Sequence, residues 1–122
     1  MKLIIQIPCY NEEAILEISA NKALSFCDKL VKDGLIDLKS RLLFVDDGSS
    51  DKTWEIITHL SEEHRNVCGI KLSKNKGHQI AIFSGMNYAV EHGADCVITI
   101  DADLQQDINA VPDFLKKYGE GC

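Results

Sequence analysis

The sequence predicts an α/β domain with a mostly parallel sheet and helices on both of its faces. Two observations predict it: short apolar runs alternate with amphipathic stretches along the chain, and a polar segment follows each apolar run. The 122 residues suffice for one domain with a real core, and a content of 45% hydrophobic and 26% charged residues is ordinary for a soluble globular protein.

The first strand–helix unit lies at the start of the chain. Residues 2–7, KLIIQI, are predicted to form a buried strand that Pro8 ends. Asn11 is predicted to cap the following helix, with acids in its first turn where the helix dipole favours them. This helix is expected to run to about Lys32 and to end at Gly34.

Three further strands are predicted at residues 41–45, 67–73 and 96–100. Ser50 or Asp51 is expected to cap the helix after the second strand. Its apolar face is predicted to consist of Trp54, Ile57 and Leu60. A third helix follows the segment NKGHQ, and a last helix is expected to begin near Asn109.

Composition excludes several classes of function. The net charge of −6 is not that of a general nucleic-acid surface, which would need a basic stripe. No apolar run approaches the roughly 20 residues that span a bilayer, and the start lacks a signal-peptide cleavage region. The five cysteines show no metal-ligand spacing, and the odd number does not suggest a disulfide framework. Cys68 and Cys96 are predicted to be buried thiols, and the location is predicted to be cytoplasmic.

Four polar segments follow the four predicted strands: PCYNE, DDGSS, LSKNKGHQ and DADLQQD. The carboxyl ends of parallel strands meet at one edge of a sheet, where ligands bind in such folds. The sequence therefore predicts that these segments share one site.

The segment DADLQ suggests a metal site. If the fourth strand continues, Asp101 and Asp103 point to the same side, and two carboxylates suit magnesium or manganese holding a phosphate. Gln105 can add a neutral oxygen. The alternative is that these acids only cap a turn, but an uninterrupted apolar strand before them favours the metal.

The other segments suggest a nucleotide. Asp46 and Asp47 end the second strand, where a carboxylate can accept hydrogen bonds from a ribose or base, although a plain capped turn also explains GSSD. Tyr10 offers a flat surface for a base or is part of the core. The cationic residues of the third segment can approach phosphate or form a solvated loop: Lys74, Lys76 and His78.

Further residues and motifs narrow these possibilities. His78 is a weaker candidate for a general base, and His59, His64 and His92 are expected to face solvent. Neither GxGxxG nor GxxxxGK[ST] occurs, which excludes an ordinary dinucleotide-binding domain and a P-loop NTPase.

In this order and spacing, PCYNEE, VDDGSSDKT, LSKNKGHQIA and IDADLQQD resemble the family 2 glycosyltransferases of Rossmann-like GT-A fold. The likeness is closest to the polyprenyl- and dolichyl-phosphate sugar transferases, the GtrB-like and dolichyl-phosphate-mannose-synthase-like branch. It extends from about Lys2 to Phe114. The resemblance implies that residues 1–122 are the N-terminal, nucleotide-sugar-binding part of such a domain.

The resemblance also implies roles for individual residues. Contacts to the nucleotide sugar are expected from Pro8, Tyr10, Glu12, Asp46, Asp47, Lys76 and Asp101. A divalent metal, Mn²⁺ or Mg²⁺, is expected at Asp101, Asp103 and Gln105, with Asp103 as the catalytic residue. Gly77, His78 and Gln79 match the GHQ segment of the lipid-phosphate branch.

Two departures from the family stand out. Ile108 replaces part of a proline-containing pair that many relatives have after DADLQ, which changes the expected shape of that loop. Family members also usually continue into an acceptor-binding half, and lipid-phosphate members often carry membrane helices. We therefore expect a chain that is inactive alone, with self-association or modest stability, from a parent protein at the cytoplasmic face of a membrane.

The implied reaction is inverting transfer of a sugar from a UDP- or GDP-sugar to a polyprenyl or dolichyl phosphate. An acceptor phosphate is already anionic, so no strong general base is required. Two alternatives stay open: a nucleotide- and metal-binding module without turnover, and a metal-dependent phosphohydrolase. The latter class needs a nucleophilic aspartate after the first strand, whereas this DxD follows the fourth.

Overall fold

The computed structural model describes residues 1–102, 111–112 and 115–116. In chain order its elements are β1 (Leu3–Cys9), α1 (Leu16–Lys32), β2 (Arg41–Asp46), α2 (Thr53–Glu63), β3 (Val67–Lys71), α3 (His78–Glu91) and β4 (Cys96–Thr99). The strands form a sheet of order β3-β2-β1-β4, and each neighbouring pair is parallel. The predicted α/β architecture is confirmed.

Both faces of the sheet carry helices, as predicted. On one face, alternate residues of β1 pack in a common core with α1 and α2; this core includes Leu3, Ile5, Ile7, Leu16 and Ile57. On the other face, Ile4, Leu43 and Val45 pack with α3 through Ala81 and Ala89. All seven residues of β1 are buried, which explains why this strand reads as an almost continuous apolar run.

Pro8 does not end the first strand, because β1 continues to Cys9. Pairing of β1 with β4 stops at Gln6, opposite Thr99, whereas pairing with β2 continues to Cys9. The carbonyl of Gln6 accepts the N–H of Ile100, so even-numbered residues of β1 direct their backbone groups toward β4. Pro8 has no backbone N–H, but its backbone faces the side where β1 is no longer paired with β4. No hydrogen bond of the sheet is therefore lost.

Asn11 does not cap α1, contrary to the prediction. Asn11 has a positive φ of 52°, and α1 begins at Leu16. The side chain of Asn11 instead accepts hydrogen bonds from the loop before α2, as described below. The predicted end of α1 at Lys32 is confirmed, with Gly34 following at a φ of 75°.

The start of α2 only partly matches the predicted cap. The helix begins at Thr53 with Lys52 in the N-cap position, so neither Ser50 nor Asp51 occupies that position. The Asp51 carboxylate nevertheless accepts the Thr53 N–H at 2.9 Å. It therefore satisfies one of the backbone donors that the first turn leaves without an intrahelical partner. The predicted apolar face of α2 is confirmed.

Some predicted core positions differ. Cys68 and Cys96 are half-buried because they lie on the two edge strands, whereas Cys9 and Cys27 are buried; all four are free thiols. Val111 and Leu115 are buried and helical, but the predicted start of the last helix near residue 109 lies outside the described residues. Within the described part of the chain, no helix has the length and apolarity to cross a membrane.

Candidate functional site

The strand order places a topological switch between β1 and β4. The chain moves from β1 outward to β2 and β3, and then returns across the sheet to β4 on the other side of β1. Ligands of open α/β sheets bind at such a point, beyond the carboxyl ends of the strands.

A cleft of about 370 Å³ opens at this edge of the sheet. All four polar segments singled out in the sequence contribute to it. Its lining comprises Pro8, Cys9, Tyr10, Glu12, Asp47, Asn75, Gly77, His78, Ala81, Asp101 and Ala102. The structure thus brings Pro8, Tyr10, Glu12, Asp47 and Asp101 to one place, while Asp103 and Gln105 lie outside the described residues.

A larger groove of about 1030 Å³ lies elsewhere, between α1 and the start of β2. Cys27, Ser40 and Arg41 are among its lining residues. Because it lies away from the carboxyl ends of the strands, and no strand-end segment reaches it, we place the functional site in the smaller cleft.

The carboxylate of Asp47 binds the loop that precedes α3. One oxygen accepts the N–H of Lys76 at 2.7 Å, and the other accepts the N–H of Gly77 at 3.0 Å. The residue is only 4% exposed, although it borders the cleft. Asp47 therefore shapes the wall of the cleft by positioning that loop, a role that the sequence reasoning did not foresee.

Its neighbour Asp46 does not line the cleft and is fully buried. One carboxylate oxygen accepts the backbone N–H of Ser49 at 3.1 Å and also its hydroxyl. The other oxygen is buried without a hydrogen-bond partner in the described structure. Two adjacent acids thus have different surroundings, and only Asp47 borders the cleft.

Asn11 joins the first two loops of this edge. Its side-chain oxygen accepts the N–H of Ser50 at 2.8 Å and that of Asp51 at 3.3 Å. In return, its own N–H donates to the Ser49 hydroxyl at 2.8 Å, and the Glu12 N–H donates to the Thr53 hydroxyl at 2.8 Å. The pattern of a capping residue was visible in the sequence, but its partners lie about 39 positions away along the chain.

Gly48 lets the second and third loops touch. Its φ is +71°, and a Cβ built there would lie 2.4 Å from the carbonyl carbon of Lys74 and 2.5 Å from the nitrogen of Asn75. The positive φ suits glycine, and the close backbone approach excludes any side chain at this position. The loops after β1, β2 and β3 therefore form one connected rim.

Burial and nearby acids determine the protonation of the Cys9 thiol, which lines the cleft. Burial raises the pKa of the Cys9 thiol well above its usual range, and the nearby carboxylates of Glu12 and Asp46 raise it further. Cys9 therefore stays protonated near neutral pH and is not suited to act as a nucleophile.

The predicted cationic residues occupy different places. His78 is the first residue of α3 and lines the cleft, while Lys74 and Lys76 are exposed on the loop before it. Lys76 contacts the site through its backbone N–H to Asp47. His59, His64 and His92 lie on or next to helices at least partly in solvent, as predicted.

A parallel α/β sheet with a polar cleft at its switch point defines a class of folds that bind their ligands at this edge. Residues 4–122 match the family model of the glycosyl transferase family 2, and the chain belongs to this family. The resemblance seen in the four motifs is thereby confirmed.

Two relatives illustrate the family. The chain is 45% identical over 120 residues to the uncharacterized glycosyltransferase YkoT of Bacillus subtilis, covering 98% of this chain and 35% of that protein. It is 36% identical over 121 residues to an undecaprenyl-phosphate 4-deoxy-4-formamido-L-arabinose transferase of Photorhabdus laumondii, covering 98% of this chain and 34% of that protein. The chain therefore spans about a third of the length of these relatives.

Solved structures show the same fold. The mannosyltransferase PcManGT from Pyrobaculum calidifontis, in complex with GDP-Man and Mn²⁺, superposes with a TM-score of 0.70 at 19% identity, over 94% of this chain and 31% of that one. TarS of S. aureus superposes with a TM-score of 0.57 at 19% identity, over 98% of this chain and 20% of that one. The chain has the Rossmann-like GT-A fold that the sequence predicted.

Proposed function

We propose that this chain forms the donor-binding part of an inverting glycosyltransferase. The sugar would move from a nucleoside-diphosphate sugar, a UDP- or GDP-sugar, to a polyprenyl or dolichyl phosphate. The observation that carries the proposal is the cleft at the β1/β4 switch point, which unites Tyr10, Asp47 and Asp101 in a family 2 chain. The relative that acts on undecaprenyl phosphate and the mannosyltransferase in complex with GDP-Man support the two substrate classes.

The nucleotide would lie over the end of β1. Tyr10 is 45% exposed there and can present its ring to a base, with Pro8 and Glu12 beside it. Asp46 is fully buried, so we propose that it supports the turn. The ribose or base contact is then proposed for Asp47 alone.

The diphosphate would lie at the N-terminus of α3. Its N-cap residue, Gly77, has no side chain to cap the helix, and its first turn contains no acid. The Asp47 carboxylate already occupies the N–H groups of Lys76 and Gly77, so the next backbone donors of the helix are those that can meet an anion. The Lys76 side chain is exposed beside this helix start and can add positive charge.

The residues at this edge of the sheet supply part of the ligand set that a divalent metal would need. Carboxylates of Asp101, Glu12 and Asp47 line the cleft, and such hard oxygens suit Mn²⁺ or Mg²⁺. Among the described residues no group of three His, Cys, Asp or Glu side chains could hold a metal, and we propose that Asp103 and Gln105 supply the other ligands. Held by Asp101, Asp103 and Gln105, the ion would neutralise charge that develops on the leaving nucleoside diphosphate.

The remaining chemistry needs little from this chain. A lipid phosphate is an anionic nucleophile and requires no strong base. The phosphohydrolase alternative gains no support, because β1 ends in Cys9 where that class needs an aspartate. A binding module without turnover is the second candidate, since the chain spans about a third of its relatives.

Thermal unfolding tests the donor site. The chain would be heated with UDP, GDP, CDP or ADP, each with and without Mn²⁺, alongside Asp103→Ala and the control Asp28→Ala on the exposed surface of α1. We expect a rise in Tm that needs one nucleotide and the metal together, is lost in Asp103→Ala and persists in Asp28→Ala. A rise that survives in Asp103→Ala, or no rise with any nucleotide, would contradict the proposal.

Transfer of labelled sugar to polyprenyl phosphate tests the transferase candidate. Transfer by the chain itself supports the transferase. Nucleotide binding without transfer, which we expect of this chain alone, agrees with both a donor-binding part of a transferase and a binding module.

A further inference from the structure

The helix α3 is apolar on the side that faces away from the sheet. Its sequence, HQIAIFSGMNYAVE, contains no Lys, Arg, Asp or Glu before its last residue, Glu91. For comparison, 26% of the whole chain is charged. A surface helix normally presents charged and polar residues to water, so α3 has an unusual outer face.

Besides the exposed polar residues Gln79 and Asn87, this outer face includes four large apolar side chains: Ile80, Phe83, Met86 and Val90. Their exposed fractions are 49%, 63%, 48% and 77%. Their spacing of three, three and four residues places them on one side of a helix, and the ten steps from the first to the last residue span about 15 Å. We call these four residues the α3 stripe.

The sheet cannot take up the α3 stripe, because α3 packs against it with small residues. Ala81, Gly85 and Ala89 are the buried residues of the helix. A Cβ on Gly85 would lie 1.8 Å from the side-chain oxygen of Gln6, so the helix is already in close contact with β1. The α3 stripe therefore remains on the surface of the described structure.

Positive charge lies at one end of the α3 stripe. Lys74 and Lys76 are exposed on the loop that leads into α3, and neither makes an ion pair with a described residue. An apolar helix face with adjacent lysines matches the surface of an anionic bilayer, whose acyl region accepts the apolar side chains and whose headgroups attract the cations.

A second copy of the chain is a weaker match. Stable protein interfaces bury roughly 800 Å² on each partner, about 20–30 residues a side, and four side chains are far fewer. The lysines also find no complementary acids along the stripe, because α3 contains only Glu91 at its far end.

We propose that the α3 stripe, with Lys74 and Lys76, is a docking surface for an anionic lipid bilayer. The first residue of α3, His78, lines the cleft, so docking through this helix would bring the cleft rim close to the headgroup region. The link to a lipid-phosphate acceptor rests on the function proposed above, whereas the docking itself rests only on these side chains.

Vesicle sedimentation tests the proposal. The chain is mixed with vesicles of equal parts phosphatidylglycerol and phosphatidylcholine, or of phosphatidylcholine alone. We expect sedimentation with the anionic vesicles that weakens with salt and falls by about tenfold or more in the double variant Phe83→Gln/Val90→Gln. The matched control Ile18→Gln/Leu38→Gln removes two side chains that are 61% and 82% exposed elsewhere, and it should bind like the unmodified chain.

A second pair of variants tests the charge. Lys74→Gln should weaken binding to anionic vesicles, whereas Lys39→Gln, an exposed lysine away from α3, should not. Thermal unfolding of each variant shows whether it folds, and the nucleotide-dependent rise in Tm, measured on the same variants, reports the donor site separately.

Three results would overturn the proposal. They are no sedimentation of the unmodified chain, equal sedimentation of Phe83→Gln/Val90→Gln, and a lipid-free dimer in size-exclusion chromatography that this double variant dissociates. The last result would assign the α3 stripe to a second copy. Loss of the nucleotide effect with vesicle binding intact would instead refute the proposed function and leave the docking surface standing.

Discussion

Replacing Asp47 by Asn should destabilise the chain more than replacing Asp46 by Asn, although the two residues are neighbours and both are buried. The carboxylate of Asp47 accepts one backbone N–H on each oxygen, from Lys76 at 2.7 Å and from Gly77 at 3.0 Å. An Asn side chain can accept only one of these N–H groups, and its amide nitrogen would face the other donor.

The expected loss follows from the hydrogen bonds. A hydrogen bond to a charged group contributes about 1.5–3 kcal/mol, and an unsatisfied buried N–H costs about 1–3 kcal/mol. Because the loop of Lys76 is partly exposed to water, we expect Asp47→Asn to lower the free energy of unfolding by about 2–3 kcal/mol.

Asp46→Asn should cost about 1 kcal/mol, at the low end of the range for unsatisfied buried groups, since the oxygen that accepts from Ser49 can be kept and only the new amide N–H groups lack partners. The other Asp46 oxygen has no partner in the described structure, so its replacement by an amide nitrogen removes no hydrogen bond there. The substitution also removes a buried charge, which offsets part of any loss.

Urea denaturation monitored by the fluorescence of Trp54, the single tryptophan, measures both free energies. Amide hydrogen exchange provides a local readout, because Asp47→Asn should accelerate exchange at Lys76 and Gly77 and Asp46→Asn should not. Equal losses of stability, or a larger loss for Asp46→Asn, would refute the described orientation of the two carboxylates.

Two further predictions concern packing and pH. Gly85→Ala should lower the free energy of unfolding by about 1–3 kcal/mol through overpacking, because its Cβ would lie 1.8 Å from the Gln6 oxygen; Gln6→Leu, which is one atom shorter, should suppress much of this loss. Additive losses in a urea double-mutant cycle would contradict this contact. Burial raises the pKa of Asp51, but hydrogen bonds from the Thr53 hydroxyl and N–H and from the Glu13 N–H outweigh it, so the pKa lies below 3.8. The Asp51 carboxylate therefore adds stability above pH 3.8, and this stability is lost as the pH falls through its lower folded-state pKa. The urea midpoints of the unmodified chain and of Asp51→Asn should accordingly become more similar on acidification. A difference that grows toward low pH would contradict the assignment.

Much of the fold could be predicted from local patterns. The four strands, the end of α1 and the start of α2 agree with the predictions to within a few residues, because burial in a parallel sheet demands continuous apolar runs and a helix demands an apolar face. The wrong predictions concern residues whose role depends on partners far away along the chain. Pro8 is tolerated in β1 because β4 is shorter than β2, and Asn11 serves the loop before α2 instead of its own helix.

The candidate site was predicted as a set of segments and not as a geometry. That PCYNE, DDGSS, LSKNKGHQ and DADLQ share one edge follows from the rule that parallel strands end together, and the cleft agrees with it. Which acid borders the cleft could not be read from the pair Asp46–Asp47. The metal residues Asp103 and Gln105 lie outside the described residues and stay a prediction.

The sequence by itself determined the family, the alternation of strands and helices, and the edge of the sheet where the polar segments gather. These properties depend on residues close together along the chain, and the spacing of the apolar residues indicates which of them are buried. Only the tertiary structure decided that Asp47 binds the loop before α3, that Gly85 packs on Gln6, and that one face of α3 stays exposed. Each of these depends on residues from separate segments, and their distances and contacts arise only when the sheet and its helices pack together.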